Sequence, residues 1–193
     1  MTGNNNKQKG FSMVELLITG FVFSVIFGVA TSTFVNAIRV QKYNMAHQQL
    51  LDQTSYAIEY MARALRMAKI DEGNDCGLGS DNNYKITIAG GYSIRFKNYN
   101  DECQEFKWMD LNPVDTIRET LVVDIGGRLS NVPLNSSNYT VTKLQFSIGG
   151  EKRSGDNLQP RVTIFMELED NRLMNNNPII NIQTTVSQRN LDE

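Results

Sequence analysis

An apolar stretch near the amino terminus constrains this chain more than any other feature. Residues 11–30 carry a single charge, Glu15, and the continuous hydrophobicity extends to Ile38. About 20 apolar residues in a helix cross a bilayer core roughly 30 Å thick. The charged side chains ahead of this stretch are Lys7 and Lys9, and basic residues keep their flank in the cytoplasm. The sequence therefore predicts a membrane helix, with the remainder of the chain outside the cytoplasm.

Two kinds of segment fit this pattern. A secretory signal peptide would use Lys7 and Lys9 as its positive region. It would be cut after Ala30, where the run Gly28-Val29-Ala30 offers small residues. The other kind is a helix that stays in the membrane, with its processing site ahead of the apolar stretch. Composition by itself leaves both open.

The residues around Gly10 separate these two possibilities. A basic leader, a glycine, a phenylalanine, a glutamate and an apolar stretch follow in order in the run Lys9-Gly10-Phe11-Ser12-Met13-Val14-Glu15-Leu16-Leu17-Ile18. This run resembles the prepilin processing motif of type IV pilins and type II secretion pseudopilins. The resemblance implies a leader peptide at residues 1–10, cut after Gly10 by prepilin peptidase, which then methylates the new amino terminus at Phe11. It also implies that Glu15 is the glutamate that the family uses for docking during assembly.

The energetic cost of Glu15 supports an assembly role. A carboxylate in a membrane helix costs on the order of 2.5–3.5 kcal/mol on insertion scales, and a secretory signal peptide has no use for it. Glu15 falls in the first turn of a helix expected to begin at Phe11, where the helix dipole and a free α-amino group favour negative charge. It is placed to neutralise its own amino terminus or that of an adjacent subunit. The alternative is a side chain at the headgroup interface with no specific role.

The helical pattern continues beyond the membrane segment. No proline or glycine interrupts residues 31–70, so one helix is expected over residues 11–70. Residues 11–38 would form a transmembrane and filament-core helix, and residues 39–70 its amphipathic continuation, ending near Gly73. The predicted buried stripe has spacings of three and four, the period of an amphipathic helix. It consists of Val40, Tyr43, His47, Leu50, Thr54, Ala57, Met61, Leu65 and Ala68.

After the helix the apolar period changes to two, which indicates β-strands. The runs Tyr84-Ile86-Ile88 and Tyr92-Ile94-Phe96 flank Gly90-Gly91 and predict a hairpin with a two-residue turn. Further strands are expected at 106–108, 121–125, 144–148, 162–168 and 180–186. The predicted fold class is α+β, type IV pilin-like, with a long amino-terminal helix packed on a carboxyl-terminal antiparallel sheet. Residues 71–193 would form the extracytoplasmic, β-rich head.

Cys76 and Cys103 are the two cysteines of the chain. Both lie in the segment expected outside the cytoplasm, where a disulfide is permitted, and we expect them to be bridged; the alternative is two free thiols. Their spacing differs from the C-terminal disulfide loop usual in major pilins. Ser32 also stands near the place where many adhesive pilins carry a helix-breaking proline. Both differences favour a minor pilin or a pseudopilin.

No group of residues typical of an enzyme is evident. His47, the single histidine, is expected to pack on the apolar face of the helix, and a zinc site needs more His or Cys ligands. Asp71, Glu72, Asp75 and Asp81 offer oxygen ligands for Ca²⁺ but lack EF-hand spacing, so a solvated acidic loop is favoured. No cofactor, metal or small-molecule substrate is predicted. A net charge of −2 without a basic stripe argues against nucleic acid.

The sequence thus predicts a structural subunit, a minor pilin or pseudopilin, of a type IV pilus-like or type II secretion filament. Its expected partners are other subunits, prepilin peptidase, inner-membrane lipid and the assembly platform. Its expected location is the inner membrane in a single pass, and then an extracytoplasmic or cell-surface filament. Two alternatives stay open. One is a membrane-anchored binding protein that does not polymerise, and the other is a binding domain or hydrolase secreted after cleavage at Ala30.

Overall fold

The computed structural model describes residues 10–79, 82–109, 120–126, 129–150, 158–172 and 177–189. The elements along this part of the chain are α1 (Met13–Arg66), β1 (Tyr84–Ile86), β2 (Ser93–Lys97), β3 (Cys103–Met109), β4 (Thr120–Ile125), β5 (Leu129–Pro133), β6 (Tyr139–Gly149), β7 (Arg161–Asp170) and β8 (Ile179–Ser187). The chain divides into two compact units, Met1–Asn44 and Met45–Glu193, and α1 contributes to both. A long amino-terminal helix and antiparallel sheets confirm the predicted α+β class.

In the second unit, α1 buries one face against the sheets. Leu50, Met61 and Leu65 are fully buried, and Thr54 satisfies its buried hydroxyl by donating to the carbonyl of Leu50 at 2.7 Å. These positions follow the 3.6-residue period of a helix. The predicted stripe is therefore confirmed from Leu50 to Leu65.

The predicted stripe is too long at its amino-terminal end. Val40 and Tyr43 are exposed, and the first buried residue of the helix is Ala46. The helical spacing continues through all of these residues, but the two exposed ones lie ahead of the core of the second unit. Periodicity identifies which residues share a face of a helix. It does not say where along the helix a packing partner begins.

The helix ends at Arg66, earlier than predicted. Its last carbonyls accept from the amides of a tighter final turn, Met67 to Ala64 and Ala68 to Leu65 at 3.2 Å each, and from distant parts of the chain. The hydroxyl of Tyr84 donates to the carbonyl of Leu65 at 2.7 Å, and the amide of Arg189 donates to the carbonyl of Arg66 at 2.9 Å. Shortly afterwards the backbone already forms an isolated β-bridge. The local turn and the remote partners together satisfy the end of the helix, which lies well before the glycine at position 73.

Five antiparallel strands form the first sheet in the sequential order β1-β2-β3-β4-β5. The predicted hairpin is confirmed by the pairing of Tyr84 with Phe96, but the predicted two-residue turn at the two glycines is wrong. The connection spans residues 87–92 because the amide of Ile88 donates to the Ser93 hydroxyl at 2.7 Å and leaves the ladder. A side-chain acceptor therefore widens the turn.

The second sheet contains β6, β7 and β8 in that order, and it confirms the three alternating runs predicted near the carboxyl end. We expected one sheet, whereas the described strands form two. Alternation along a strand shows which of its faces is buried, but not which strand lies beside it. Strand β5 was not predicted, since its sequence Leu-Ser-Asn-Val-Pro ends in a residue that is rare within strands.

Both sheets contribute to one core with the second part of α1. The rings of Phe96 and Phe106 have centroids 5.6 Å apart, and Tyr60 of α1 meets Phe106 edge-on at 6.0 Å. From the second sheet, Ile164 and Met166 are fully buried in the same cluster. Aromatic pairs of this geometry add to the stabilisation that burial provides.

Candidate functional site

The predicted processing and assembly residues lie at the amino-terminal end of α1, in the first unit. Gly10 and Phe11 precede the helix. The first backbone hydrogen bond runs from the amide of Leu16 to the carbonyl of Ser12 at 3.2 Å. Ser12 therefore occupies the N-cap position, and Glu15 lies in the first turn. The helix begins slightly later than predicted, so Phe11 is outside it.

A signal for this helix start is present in the sequence. Ser12 and Glu15 have the spacing of a capping box, a serine followed three residues later by a glutamate. Sequence reasoning from the apolar stretch alone misses it. In this position the carboxylate of Glu15 faces the positive end of the helix dipole. The sequence thus places a negative charge where free backbone amides attract one.

The carboxylate of Glu15 is exposed and has no ion-pair partner within the part of the chain that the structure describes. The leader residues 1–9, including Lys7 and Lys9, lie outside the described residues. Phe11 is 77% exposed. An unpaired carboxylate beside an apolar surface is costly in a membrane, and it therefore favours a cationic partner.

The apolar side chains of the first unit are exposed along its length. Exposed fractions include 72% for Phe21, 62% for Ile26 and 64% for Phe27. The most apolar part of α1 is unburied, whereas the core helix of a soluble protein is mostly buried. By length and composition this stretch is able to cross a membrane, and signal sequences share this property. Exposed apolar area on this scale calls for a cover of lipid or other helices.

Four hydroxyl side chains on this segment are satisfied within the helix itself. Each donates to the carbonyl one turn earlier, at 2.9 Å for Thr19, 2.8 Å for Ser24, 2.8 Å for Thr31 and 3.0 Å for Thr33. They therefore need no partner in an apolar medium. At Gly20 and Gly28, apart from the adjacent residues and the nearby backbone of the helix itself, no atom lies within 4 Å of the place where a Cβ would stand. Small residues at such open positions allow another helix to approach closely.

The two cysteines lie in the second unit and form the expected disulfide, Cys76–Cys103. Cys76 is in the loop between α1 and β1, and Cys103 begins β3. The bridge therefore ties an irregular segment to the first sheet. The sequence predicted this disulfide because both cysteines lie in the segment expected outside the cytoplasm.

The expectation of a solvated acidic loop is wrong for Asp71. This residue is fully buried, and its carboxylate accepts the backbone amides of Asp75 and Cys76 at 2.9 and 3.0 Å. It acts as a local acceptor that shapes the loop around the disulfide. Asp81 lies outside the described residues. Within the described ranges, no group of three or more His, Cys, Asp or Glu side chains is placed to hold a metal ion.

A buried charge network stabilises the first sheet. The Glu105 side chain is 7% exposed and receives a hydrogen bond from Arg95 Nη2 at 2.8 Å and a second bond from Thr87. Lys107 Nζ lies 3.5 Å from the same carboxylate. Burial opposes the charged form, but the bonds from Thr87 and Arg95 and the Lys107 charge outweigh it and lower the pKa of Glu105.

Replacing Glu105 by glutamine is expected to lower the free energy of unfolding at pH 7 by about 2 kcal/mol, because the partly exposed Arg95 and Lys107 lose the charge of their buried carboxylate partner. A lowered folded-state pKa stabilises the fold above the ordinary glutamate value of 4.5, and this contribution is lost as the pH falls through the folded pKa. The difference in the free energy of unfolding between wild type and Glu105→Gln should therefore disappear in acid. Denaturant unfolding between pH 7 and pH 3 measures it, with exposed Glu72→Gln as the control. A difference in the free energy of unfolding that does not vary with pH would contradict a stabilising role for the charge of Glu105.

Comparison with known proteins gives one finding. The model of the prokaryotic N-terminal methylation motif matches residues 5–31, a segment that contains Gly10, Phe11 and Glu15. Neither curated proteins nor solved structures gave a match. The motif points to a structural protein rather than an enzyme and implies processing by prepilin peptidase and assembly with other pilin subunits. With the apolar helix, it fits a single-pass membrane-anchored protein with a carboxyl-terminal head. At residues 5–31 this chain carries the leader motif of type IV pilins and pseudopilins.

Proposed function

We propose that this chain is a minor pilin or pseudopilin, a structural subunit of a type IV pilus-like or type II secretion filament. One observation carries the proposal. The methylation motif at residues 5–31 is joined to an exposed apolar helix that holds a single carboxylate in its first turn. A membrane anchor alone needs the apolar surface but not the charge. A subunit that docks on another amino terminus needs both.

Cleavage after Gly10 supplies the partner that Glu15 lacks. In the uncut chain the nitrogen of Phe11 is an amide and carries no charge. Hydrolysis converts it into an amine, and methylation by prepilin peptidase keeps that amine basic. Gly10 is exposed and precedes the helix, so its peptide bond is free of the helical hydrogen bonds that would hinder a peptidase.

Assembly then follows from charge and surface. The new ammonium and Glu15 attract each other strongly in a medium of low dielectric constant, either within one chain or between adjacent subunits. Residues 11–38 pack against the same segment of neighbouring subunits, with the open surfaces at Gly20 and Gly28 as points of close approach. The chain resides in the inner membrane, in contact with lipid and the assembly platform, before it is incorporated into the filament.

The domain organisation belongs to this proposal. Residues 1–10 form the leader and residues 11–38 the membrane and filament-core segment. The rest of α1, up to Arg66, is its amphipathic continuation, and the residues after it form the extracytoplasmic head. Ser32 and the spacing of the cysteines favour a minor subunit or a pseudopilin over a major adhesive pilin. No nucleic acid or small-molecule substrate enters the proposal.

The test is intact mass and amino-terminal sequencing of the chain purified from cells that contain prepilin peptidase. We expect a chain that starts at Phe11 and is heavier than the unmodified sequence by one CH2 unit, because a methyl group replaces one hydrogen of the amine. The full-length chain should accumulate in cells without the peptidase, and a Gly10→Val variant should stay uncut in both. A chain that starts at Thr31 would instead identify a secreted protein. An intact, unmethylated chain in the membrane would identify an anchored binding protein that does not polymerise.

A further inference from the structure

Strand β8 (Ile179–Ser187) lies at the edge of the second sheet. At one end of its pairing with β7, the amide of Asp170 donates to the carbonyl of Pro178 at 3.2 Å. At the other end, the amide of Gln188 donates to the carbonyl of Pro160 at 3.0 Å. The register has no shift between these points. The backbone N–H and C=O groups of even-numbered residues therefore bond to β7, and those of odd-numbered residues point away from β7, as in any antiparallel pair.

The backbone groups that point outward therefore belong to Ile179, Asn181, Gln183, Thr185 and Ser187. Nothing in the described part of the chain donates to or accepts from these backbone groups. Their side chains are all exposed, whereas Val186 on the other face is buried. The strand thus presents a continuous row of hydrogen-bonding groups to its surroundings.

The other described sheet edges carry the usual protections against pairing. Strand β1 has three residues with Lys85 at its centre. Strand β5 is short, ends in Pro133 and pairs with a register shift. The open side of β6 is partly covered, since the amide of Phe146 donates to the carbonyl of Gly91 at 2.7 Å and the indole of Trp108 donates to β6 at 2.9 Å.

Within the described part of the chain, strand β8 has none of these protections along its nine residues, and the first outward amide beyond it, that of Arg189, donates to the carbonyl of Arg66. It contains nine residues without a charged side chain, a proline or a register shift. Ile179 on its outward face is 51% exposed. Long, uncharged and regular edges are templates for a further strand. That this one edge differs from the other three indicates a binding surface.

We propose that β8 pairs in antiparallel fashion with β8 of a second copy of this chain. A pairing centred on Gln183 sets Asn181 opposite Thr185 and Ile179 opposite Ser187, so every outward-pointing residue meets another outward-pointing residue. Because the strand carries no charge, self-pairing opposes no like charges. The result is one continuous sheet across two heads. The surface lies in the second unit, so the proposal goes beyond the filament role and does not rest on it.

Cross-linking of the full-length chain in detergent tests the register. Residues in a hydrogen-bonded antiparallel pair have Cα atoms about 5.5 Å apart, a separation that a disulfide spans. Gln183→Cys should therefore yield a disulfide-linked dimer under mild oxidation. Gln145→Cys is the matched control, since Gln145 is exposed on β6 of the same sheet, away from the β8 edge, and it should stay monomeric. Equal cross-linking of the two variants, or of neither, overturns the proposal.

A charge at the centre of the pairing tests its energetics. Gln183→Lys places two lysines opposite each other across the dimer axis, and this should weaken dimerisation about tenfold. Sedimentation or light scattering of wild type and variant across a concentration series measures the dissociation constant. A wild-type chain that stays monomeric overturns the proposal. A wild-type dimer whose dissociation constant the lysine leaves unchanged also overturns it, because the contact would then lie in the apolar helices. Pairing of the β8 edge with a strand of a different protein would overturn it as well.

Discussion

Replacing Glu15 by glutamine is expected to lower incorporation of this chain into filaments at least about tenfold while leaving it in the membrane. The amide keeps the size of the side chain but removes the charge that would attract a methylated amino terminus, and a buried ion pair is strongly destabilised when one partner is lost. Membrane insertion itself should not suffer, because a carboxylate in the span costs on the order of 2.5–3.5 kcal/mol. The measurement is the ratio of chain in sheared filaments to chain in the membrane fraction.

Glu59→Gln is the matched control for this experiment. Glu59 lies on the same helix, but its side chain is 69% exposed and pairs with Arg63 one turn away. Exposed pairs of this type contribute little, so incorporation of the control should equal that of wild type. Amino-terminal sequencing of Glu15→Gln shows whether cleavage still occurs, which separates a processing defect from an assembly defect. Wild-type incorporation of a correctly cleaved Glu15→Gln chain would contradict the docking role.

Removal of the disulfide is the second large effect. The double variant Cys76→Ala, Cys103→Ala is expected to lose about 3.5 kcal/mol of stability, because a bridge across 27 residues restricts the unfolded chain by about that amount in the chain-entropy model. For a unit of this size the melting temperature should fall by about 10 °C. The fluorescence of Trp108, the only tryptophan, reports the unfolding of the full-length chain in detergent. It is a suitable probe because its indole bonds to the second sheet.

Reductant provides the control for this variant. Wild type treated with a thiol reductant should unfold at the same midpoint as the double alanine variant, and reductant should not change the variant further. A variant that loses less than about 1 kcal/mol would show that the loop holds without the bridge. In that case the hydrogen bonds that Asp71 accepts from Asp75 and Cys76 would be sufficient to order it.

Features that depend on neighbours in sequence could be predicted from the sequence. The apolar stretch, Glu15 in the first helical turn and the methylation motif all lie within residues 5–38. The buried stripe from Leu50 to Leu65 follows from helical spacing, and the strands β6, β7 and β8 follow from alternation. Each of these signals lies within a few turns or one strand of the chain. The α+β class is their sum.

Features that depend on distant partners could not be predicted in this way. At the end of the helix, Tyr84 and Arg189 donate to the carbonyls of Leu65 and Arg66, and both residues are remote in sequence. The division of the strands into two sheets depends on which strand lies beside which, and alternation carries no information about neighbours. Asp71 was expected in solvent because acidic residues usually are.

The sequence by itself determined the membrane-spanning candidate, the methylation motif at residues 5–31, and the succession of one helix and several strands. Hydrophobic transfer and short-range hydrogen bonding act on residues close in sequence, so the order of apolar and polar residues reveals their effect. Only the tertiary structure decided where the helix stops, how the strands divide, and that β8 is the outer strand of its sheet. Those properties arise from hydrogen bonds between segments far apart in sequence, and such bonds exist only once the chain has folded.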